Sequence, residues 1–564
     1  MVFSCELGKK SMKTIRLAPT SLLPLLLILL LASSFSLSSY GQSTSPSTAP
    51  ITSEDLVKYT KESSFIKEFQ VPVEERGLKG ITTDSQGNAW IYYSTNKTST
   101  IFKFDPAKQT FSQFTVEGQT ATDDPVINLA AGHLAFEDGT NSVWFADART
   151  NSIGRLDVRT GSIQLIPLPT KNAGPMGITL APDGKSVWFT EITGDKVAKI
   201  DAGSMKITEY STGGESGPAL LSFDDKGILW VSLSFSHSVL RVDPNALSSS
   251  NPSSAMTELK LSGKDTFSPF GIAVAGDKVY VSDHGSSRII VSDVGFSNYD
   301  SYWTSPAKEF PTTLPGEVVS DKQGNVYFPQ HGGNRISMID KRGVVTEYDI
   351  PSGPLSTVLF LAASNNGQIW FTEWASNKIG YVDTNTKIPF DIQANGNISG
   401  FTLTKDNSQT IDLSLVKSSN GANSSVSLSE VGIAAIGMTE SGLQGVTYTP
   451  QPPRVNLDQS QGADVKITFT ATEGAMPGKY TLMIRATAPE KDGLLVSKLY
   501  PVSFVLDVPT PIGQNKNPSN TVVEQVSTES LLRDIVRILA ASVAVGLVGY
   551  LIYRRVRKKS DLTK

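Results

Sequence analysis

Residues 174–201 read GPMGITLAPDGKSVWFTEITGDKVAKID, and residues 353–383 read GPLSTVLFLAASNNGQIWFTEWASNKIGYVD. Each is an apolar run, a turn centred on glycine, an aromatic run, a polar gap and a third run. The pattern recurs seven times. Trp90, Trp144, Trp188, Trp230, Tyr280, Tyr327 and Trp370 fall in register, at gaps of 54, 44, 42, 50, 47 and 43 residues. Short strands repeating at that period predict an all-β chain with a seven-bladed β-propeller over residues 65–392. In each blade strand a ends in a turn such as Asp183-Gly184 or Gln86-Gly87, where glycine supplies a positive φ. Strand b carries the aromatic, which is expected to pack between blades as core. Outer strands d read ITEYST or VTEYDI. Residues 65–72 (FIKEFQVP) look like a strand d with no repeat before it. They are expected to complete the last blade and close the ring, in competition with residues 387–392 (KIPFDI).

The remaining texture divides a chain of 564 residues that is too long for one core. Residues 395–508 lose the tryptophan period and alternate polar with apolar, as in DVKITFTAT and GKYTLMIRATA, which predicts an Ig-like β-sandwich. Both ends address a membrane. Lys9, Lys10, Lys13 and Arg16 precede the apolar run 22–31, so residues 1–41 read as a signal peptide, followed by a leader at 42–64. A stalk rich in Pro, Asn and Ser spans 509–530, an uncharged span apart from Arg537 covers 535–553, and the basic tail 554–564 follows. By the positive-inside rule the tail is cytoplasmic and the bulk of the chain extracellular, a single-pass protein of the cell membrane. With 50 Lys+Arg against 54 Asp+Glu, the charge of -4 argues against a nucleic-acid partner. Cys5 is the one cysteine and precedes every folded segment, which excludes disulfide and thiolate chemistry.

A propeller concentrates its chemistry at the mouth of its central channel. The residues ending strand b, aligned on the aromatic, are Asp147, Glu191, Leu233, Asp283, Gln330 and Glu373. Those just after are Ala148, Ile192, Ser234, His284, His331 and Trp374. Carboxylates and imidazoles on one rim point to a divalent cation held through oxygen, with Glu373 and Glu191 as the metal ligands, or to a general base. The alternative is structural: an acid there accepts hydrogen bonds from the following turn, as Asp147 with Asn151 and Glu373 with Asn377 suggest. His133, on strand a, and His237 read as packing or surface residues.

The stretches WFTE (188–191) and WFTEWASNKIGYVD (370–383) resemble the streptogramin B lyase, or virginiamycin B lyase, family, over about 300 residues. Related gluconolactonase-like and NHL-repeat propellers are similar more loosely. The resemblance implies a propeller that opens a cyclic depsipeptide by elimination, with Mg²⁺ as electrophile and a histidine of a P-H-G-I strand a as base. Of the residues it implies, Glu373 has its match. The strand-a triplets of the last two blades read Pro354-Leu355-Ser356 and Pro315-Gly316-Glu317, without the histidines. Two expectations follow. One is a surface-anchored protein that binds an extracellular small molecule or surface polymer at the channel mouth. The other is a lyase acting with Mg²⁺ on depsipeptide or lactone esters, with Glu373, His331 and His284 as catalytic residues and Asp147, Glu191, Asp283, Gln330 and Trp374 lining the rim.

Overall fold

The computed structural model describes residues 61–507, apart from 96, 118–131, 248–251, 261–266, 306–311, 354–355, 419–424, 438–442 and 473. The signal, stalk, membrane-span and tail segments lie outside the described residues. Among those described, no helix is long and apolar enough to cross a membrane.

Seven four-stranded antiparallel units follow one another in chain order, each running a-b-c-d outward. Blade 3 shows the plan, with strands Pro175–Leu180, Ser186–Glu191, Lys196–Asp201 and Ile207–Ser211. The inner strand of each blade packs on the inner strand of the next, and that of blade 7 returns to that of blade 1. Closure falls to the N-terminal strand. Ile66–Gln70 pairs antiparallel with Lys378–Asp383, strand c of blade 7, and so supplies its missing strand d. The rival segment takes another path: Phe390–Ala394 pairs with Ser408–Lys417 in a separate sheet.

The aromatic of every strand b is buried, from Trp90 and Trp144 to Tyr280 and Trp370. Several tie their polar edge to the turn that precedes them. Asp84 accepts from Trp90 Nε1 at 3.0 Å, Asp224 from Trp230 Nε1 at 3.0 Å and Asp321 from Tyr327 OH at 2.9 Å. The ring thus loses its water without leaving a donor unpaired.

Strand a carries a device that the sequence pattern conceals, a β-bulge near its start. In blade 3 the pairing runs Pro175↔Glu191 and then Ile178↔Phe189, so Met176 and Gly177 together face Thr190. Blades 1, 4, 5 and 7 repeat the shift. A hydroxyl on strand b fastens the bulge: Thr190 Oγ1 accepts from Gly177 N at 2.9 Å and donates to Ala219 O of blade 4 at 2.5 Å. Ser232 links blades 4 and 5 in the same way, and Thr372 donates to Lys79 O at 2.6 Å from blade 7 to blade 1. Bulges re-aim side chains. These set two successive strand-a residues of each such blade at the centre of the ring.

Residues 390–507 form two facing sheets. One holds Phe390–Ala394, Ser408–Lys417, Gly462–Ala471 and Val446–Gln451, and the other contains Gly478–Pro489 and Leu495–Asp507. Their inner faces share a core in which Phe401 stacks on Phe504 at 5.3 Å. This sandwich is continuous with the propeller. Leu495–Asp507 pairs with strand d of blade 6 (Tyr348↔Val496, Val345↔Leu499), covering an edge that would otherwise be open. Arg342 joins Asp340 and Asp391 across the same junction, and Asp349 accepts from Leu495 N at 3.0 Å.

Candidate functional site

The bulges define a ring of inward positions. Aligned by strand pairing, their first residues are Lys79, Met176, Ala219, Phe270 and Leu359, and their second are Gly80, Gly177, Leu220, Gly271 and Phe360. Blade 6 joins through the Pro315↔Gln330 bridge, which aligns Gly316 and Glu317 with Met176 and Gly177. Where the second residue is glycine the backbones nearly touch: a Cβ on Gly177 would sit 2.7 Å from Ala219 O. Elsewhere the side chains fill the axis. His133 Nε2 of blade 2 lies 2.7 Å from Glu317 Oε1 of blade 6, across the ring. The other Glu317 oxygen accepts from Leu361 N of blade 7 at 2.8 Å, and His133 Nδ1 lies 3.1 Å from Ile178 O of blade 3. Against the burial that would lower it, Glu317 raises the His133 pKa above its ordinary value. Phe360 packs 6.0 Å from the His133 ring and 6.4 Å from Phe270, and Leu220 shares its buried cluster. The channel is filled at this level and becomes a bowl on the side where strands b end.

One wall of that bowl is apolar: Met176, Ile192 and Ala219 cluster, with Phe235 and Phe270 against them. Beside it stand two of the expected site residues. The His284 ring is 5.0 Å from Phe270 and 6.4 Å from the His331 ring, nearly perpendicular to it. His284 Nδ1 lies 3.0 Å from Pro315 O, a contact that places the proton on Nδ1 and leaves Nε2 with its lone pair. Burial lowers the pKa of both, His331 to about 3, so both are neutral at pH 7. Trp374 lies under the Arg76 guanidinium at 5.6 Å. Lys79, 3 % exposed, is lowered by burial to about 7, with Asp147 opposing the shift and Arg149 adding to it.

The carboxylates are elsewhere. Glu191 and Glu373 are both 0 % exposed and turn into their own blades. In blade 3, Lys196 bonds Glu209 at 2.6 Å and also Thr170, while Thr170 N and Oγ1 donate to Glu209 at 3.0 and 2.8 Å. Glu191 lies against this group, and burial, with the Glu209 charge, pushes it up to about 8. Blade 7 repeats the arrangement. Lys378 bonds Glu68 at 3.0 Å and Ser352 at 2.8 Å, Ser352 donates to Glu68, and Ser376 donates to Glu373 at 2.6 Å. Burial first, and Glu68 second, raise the Glu373 pKa well above the ordinary range. Glu68 reaches this place because the closing strand reproduces strand d. Gln330 occupies the same position in blade 6, donating to Glu347 at 2.6 Å. Asp283 is held by Arg288 at 2.8 Å, and Asp147 accepts from Tyr92, Arg149 N and Thr150.

The structure therefore brings His284 and His331 together and keeps Glu191, Glu373, Asp147, Asp283 and Gln330 apart, one to a blade. Mg²⁺ calls for several clustered oxygen donors. Among the described residues no three His, Cys, Asp or Glu side chains gather into a group able to hold a metal ion, so they do not fit Mg²⁺. Two readings of the sequence are corrected. The strand-a triplet of blade 7 is Val358-Leu359-Phe360, not Pro354-Leu355-Ser356, since Val358 pairs with Glu373 as Pro175 does with Glu191. The position of the family histidine is thus Leu359. His133 is neither surface nor ordinary packing but half of the axial ion pair. Lys79, Phe270, Glu317 and Phe360 were missed as central residues. Their signal was present in the strand-a triplets, once these are aligned blade by blade.

The profile of the virginiamycin B lyase family matches residues 64–357, more than half of the chain. A solved streptogramin B lyase aligns with 22% identity over 57% of this chain and 98% of that one, at a TM-score of 0.48. A virginiamycin B lyase from Staphylococcus aureus aligns with 21% identity over 56% of this chain and 98% of its own, at 0.47. No curated protein sequence matches.

Proposed function

The chain belongs to the virginiamycin B lyase family, and we propose that it uses the family propeller to bind a largely apolar small molecule in the axial bowl. The observation that carries this is the division of labour around the axis. The bowl offers Met176, Ile192, Phe235, Phe270 and two neutral imidazoles over a closed floor, while every rim carboxylate is committed inside a blade. Such a surface favours a ring-bearing ligand of low charge, fixed by a few polar contacts. The signal at 1–41, the span at 535–553 and the basic tail support a protein tethered at the cell membrane with its bowl outside, and the Ig-like sandwich then holds blade 6 from below. A ligand of the cell exterior, free or part of a surface polymer, fits that placement.

A second reading, elimination at an ester, is favoured by the geometry at His284. Its Nε2 lone pair, backed by Pro315 O, is that of a general base able to take a proton next to a carbonyl. The test is incubation of the purified full chain with streptogramin B and with simple lactones, each with Mg²⁺ or EDTA. Products are followed by chromatography and fragmentation, because elimination leaves the mass unchanged. Saturable binding without ring opening is the expected result. Opening that depends on Mg²⁺ and is lost in Glu373→Gln would overturn the binding reading.

A further inference from the structure

We propose that His284 and His331 form a two-histidine site for a late first-row transition ion, with zinc or nickel as the chemical class, at the wall of the bowl. The inference rests on the same bowl as the binding reading but not on its ligand. Imidazole suits these ions, whereas magnesium seeks oxygen.

Three features of the pair fit. A metal–nitrogen bond of about 2.0–2.1 Å plus roughly 1.1 Å to the ring centre gives about 3.2 Å per arm, so two imidazoles on one ion have centroids about 5–6.4 Å apart. The observed 6.4 Å lies at the outer end of that range, and a small ring rotation reaches a tetrahedral angle. The Nδ1 contact of His284 with a backbone carbonyl is the supporting bond that metal-binding histidines commonly make, and it aims the Nε2 lone pair away from the blade. Both residues directly follow a strand b, on adjacent blades whose inner strands are packed together, so the spacing is set by the scaffold and not by loop motion. Two protein ligands leave the remaining coordination positions open to water or to a donor atom of the bowl's ligand.

The pH behaviour follows from the burial that holds both imidazoles neutral. Metal binding displaces no proton from either ring, so affinity should stay nearly flat between about pH 6 and 8, where an ordinary histidine site weakens on acidification. Competition within the chain is small. The sequence holds four histidines and one cysteine, His133 is engaged by Glu317, and His237 Nδ1 meets Phe267 O at 2.6 Å.

Tag-free full chain, titrated with Zn²⁺ by calorimetry and with Co²⁺ by visible absorption, should take up one equivalent, unaffected by excess Mg²⁺. His284→Ala and His331→Ala should each weaken binding about tenfold or more, and His237→Ala should not. The thermal midpoint of each variant confirms that it is folded, with His331→Gln as the milder substitute. No stoichiometric uptake, or uptake that persists in both histidine variants, overturns the proposal. Either result leaves the binding reading standing where the bowl still takes its organic ligand.

Discussion

Glu373 and His331 occupy neighbouring rim positions in the sequence repeat, one residue apart in phase, yet the structure gives them opposite settings. Glu373 closes a box with Glu68, Lys378, Ser352 and Ser376 inside blade 7, and blade 3 copies the box around Glu191. His331 stands in the bowl beside His284 and the Phe270 wall. The last residue of strand b points back between blades and the next one points to the axis. A one-residue phase difference thus separates cohesion from chemistry. An acidic rim in a propeller sequence is therefore weak grounds for a metal centre until its strand-d partners are known.

Removing a blade cation should break the comparison most visibly. Lys378→Met leaves Glu68 and Glu373 buried without their ammonium, and we expect a loss of about 3–5 kcal/mol in urea unfolding. Trp188→Ala opens a cavity between blades and should cost about the same, ~3–5 kcal/mol, read in the same experiment. A loss below about 1 kcal/mol in either would mean that the blade interior is not built as described.

The pH response sharpens the contrast. Glu191, raised by burial from its ordinary value to about 8, binds its proton more tightly in the folded state. Its contribution therefore falls as pH rises from about 4.5 through 8. Glu191→Gln should raise the thermal midpoint relative to the parent at pH 9 and change it little at pH 5. Lys79 works in the other direction: lowered to about 7, it makes the fold more stable as pH rises from about 7 towards 10.5. Lys79→Met should remove that slope. The smallest effects belong to the bowl. His284→Ala should change stability by less than about 1 kcal/mol, because its Pro315 contact is one partly buried hydrogen bond.

The ring was legible in the sequence because one sentence, written seven times, repeats its aromatic in phase. The closing strand was legible too, since FIKEFQV copies ITEYS closely enough to place Glu68 where Glu209 stands. The bulges were not. Two residues facing one at Met176-Gly177 leave no mark in a pattern of alternation, and without them the inward positions are assigned one residue out of place. In blade 7 the lack of a proline at Val358 shifted the reading by four residues. The His133–Glu317 pair joins blades far apart in sequence, and nothing local announces it. The pairing of Leu495–Asp507 with blade 6 was hidden for a similar reason, because VTEYD reads like any outer strand whether or not its edge is covered.

The central claim is that the rim carboxylates belong to the blades and the chemistry to the bowl. Carboxyl-carbon NMR of labelled glutamates, assigned by the signal lost in Glu191→Gln, tests it most directly. The account predicts that Glu191 titrates near pH 8, far above the other exposed carboxylates. Titration near the ordinary 4.5 would contradict it, since Glu191 would then be an open, charged rim group free to bind a cation.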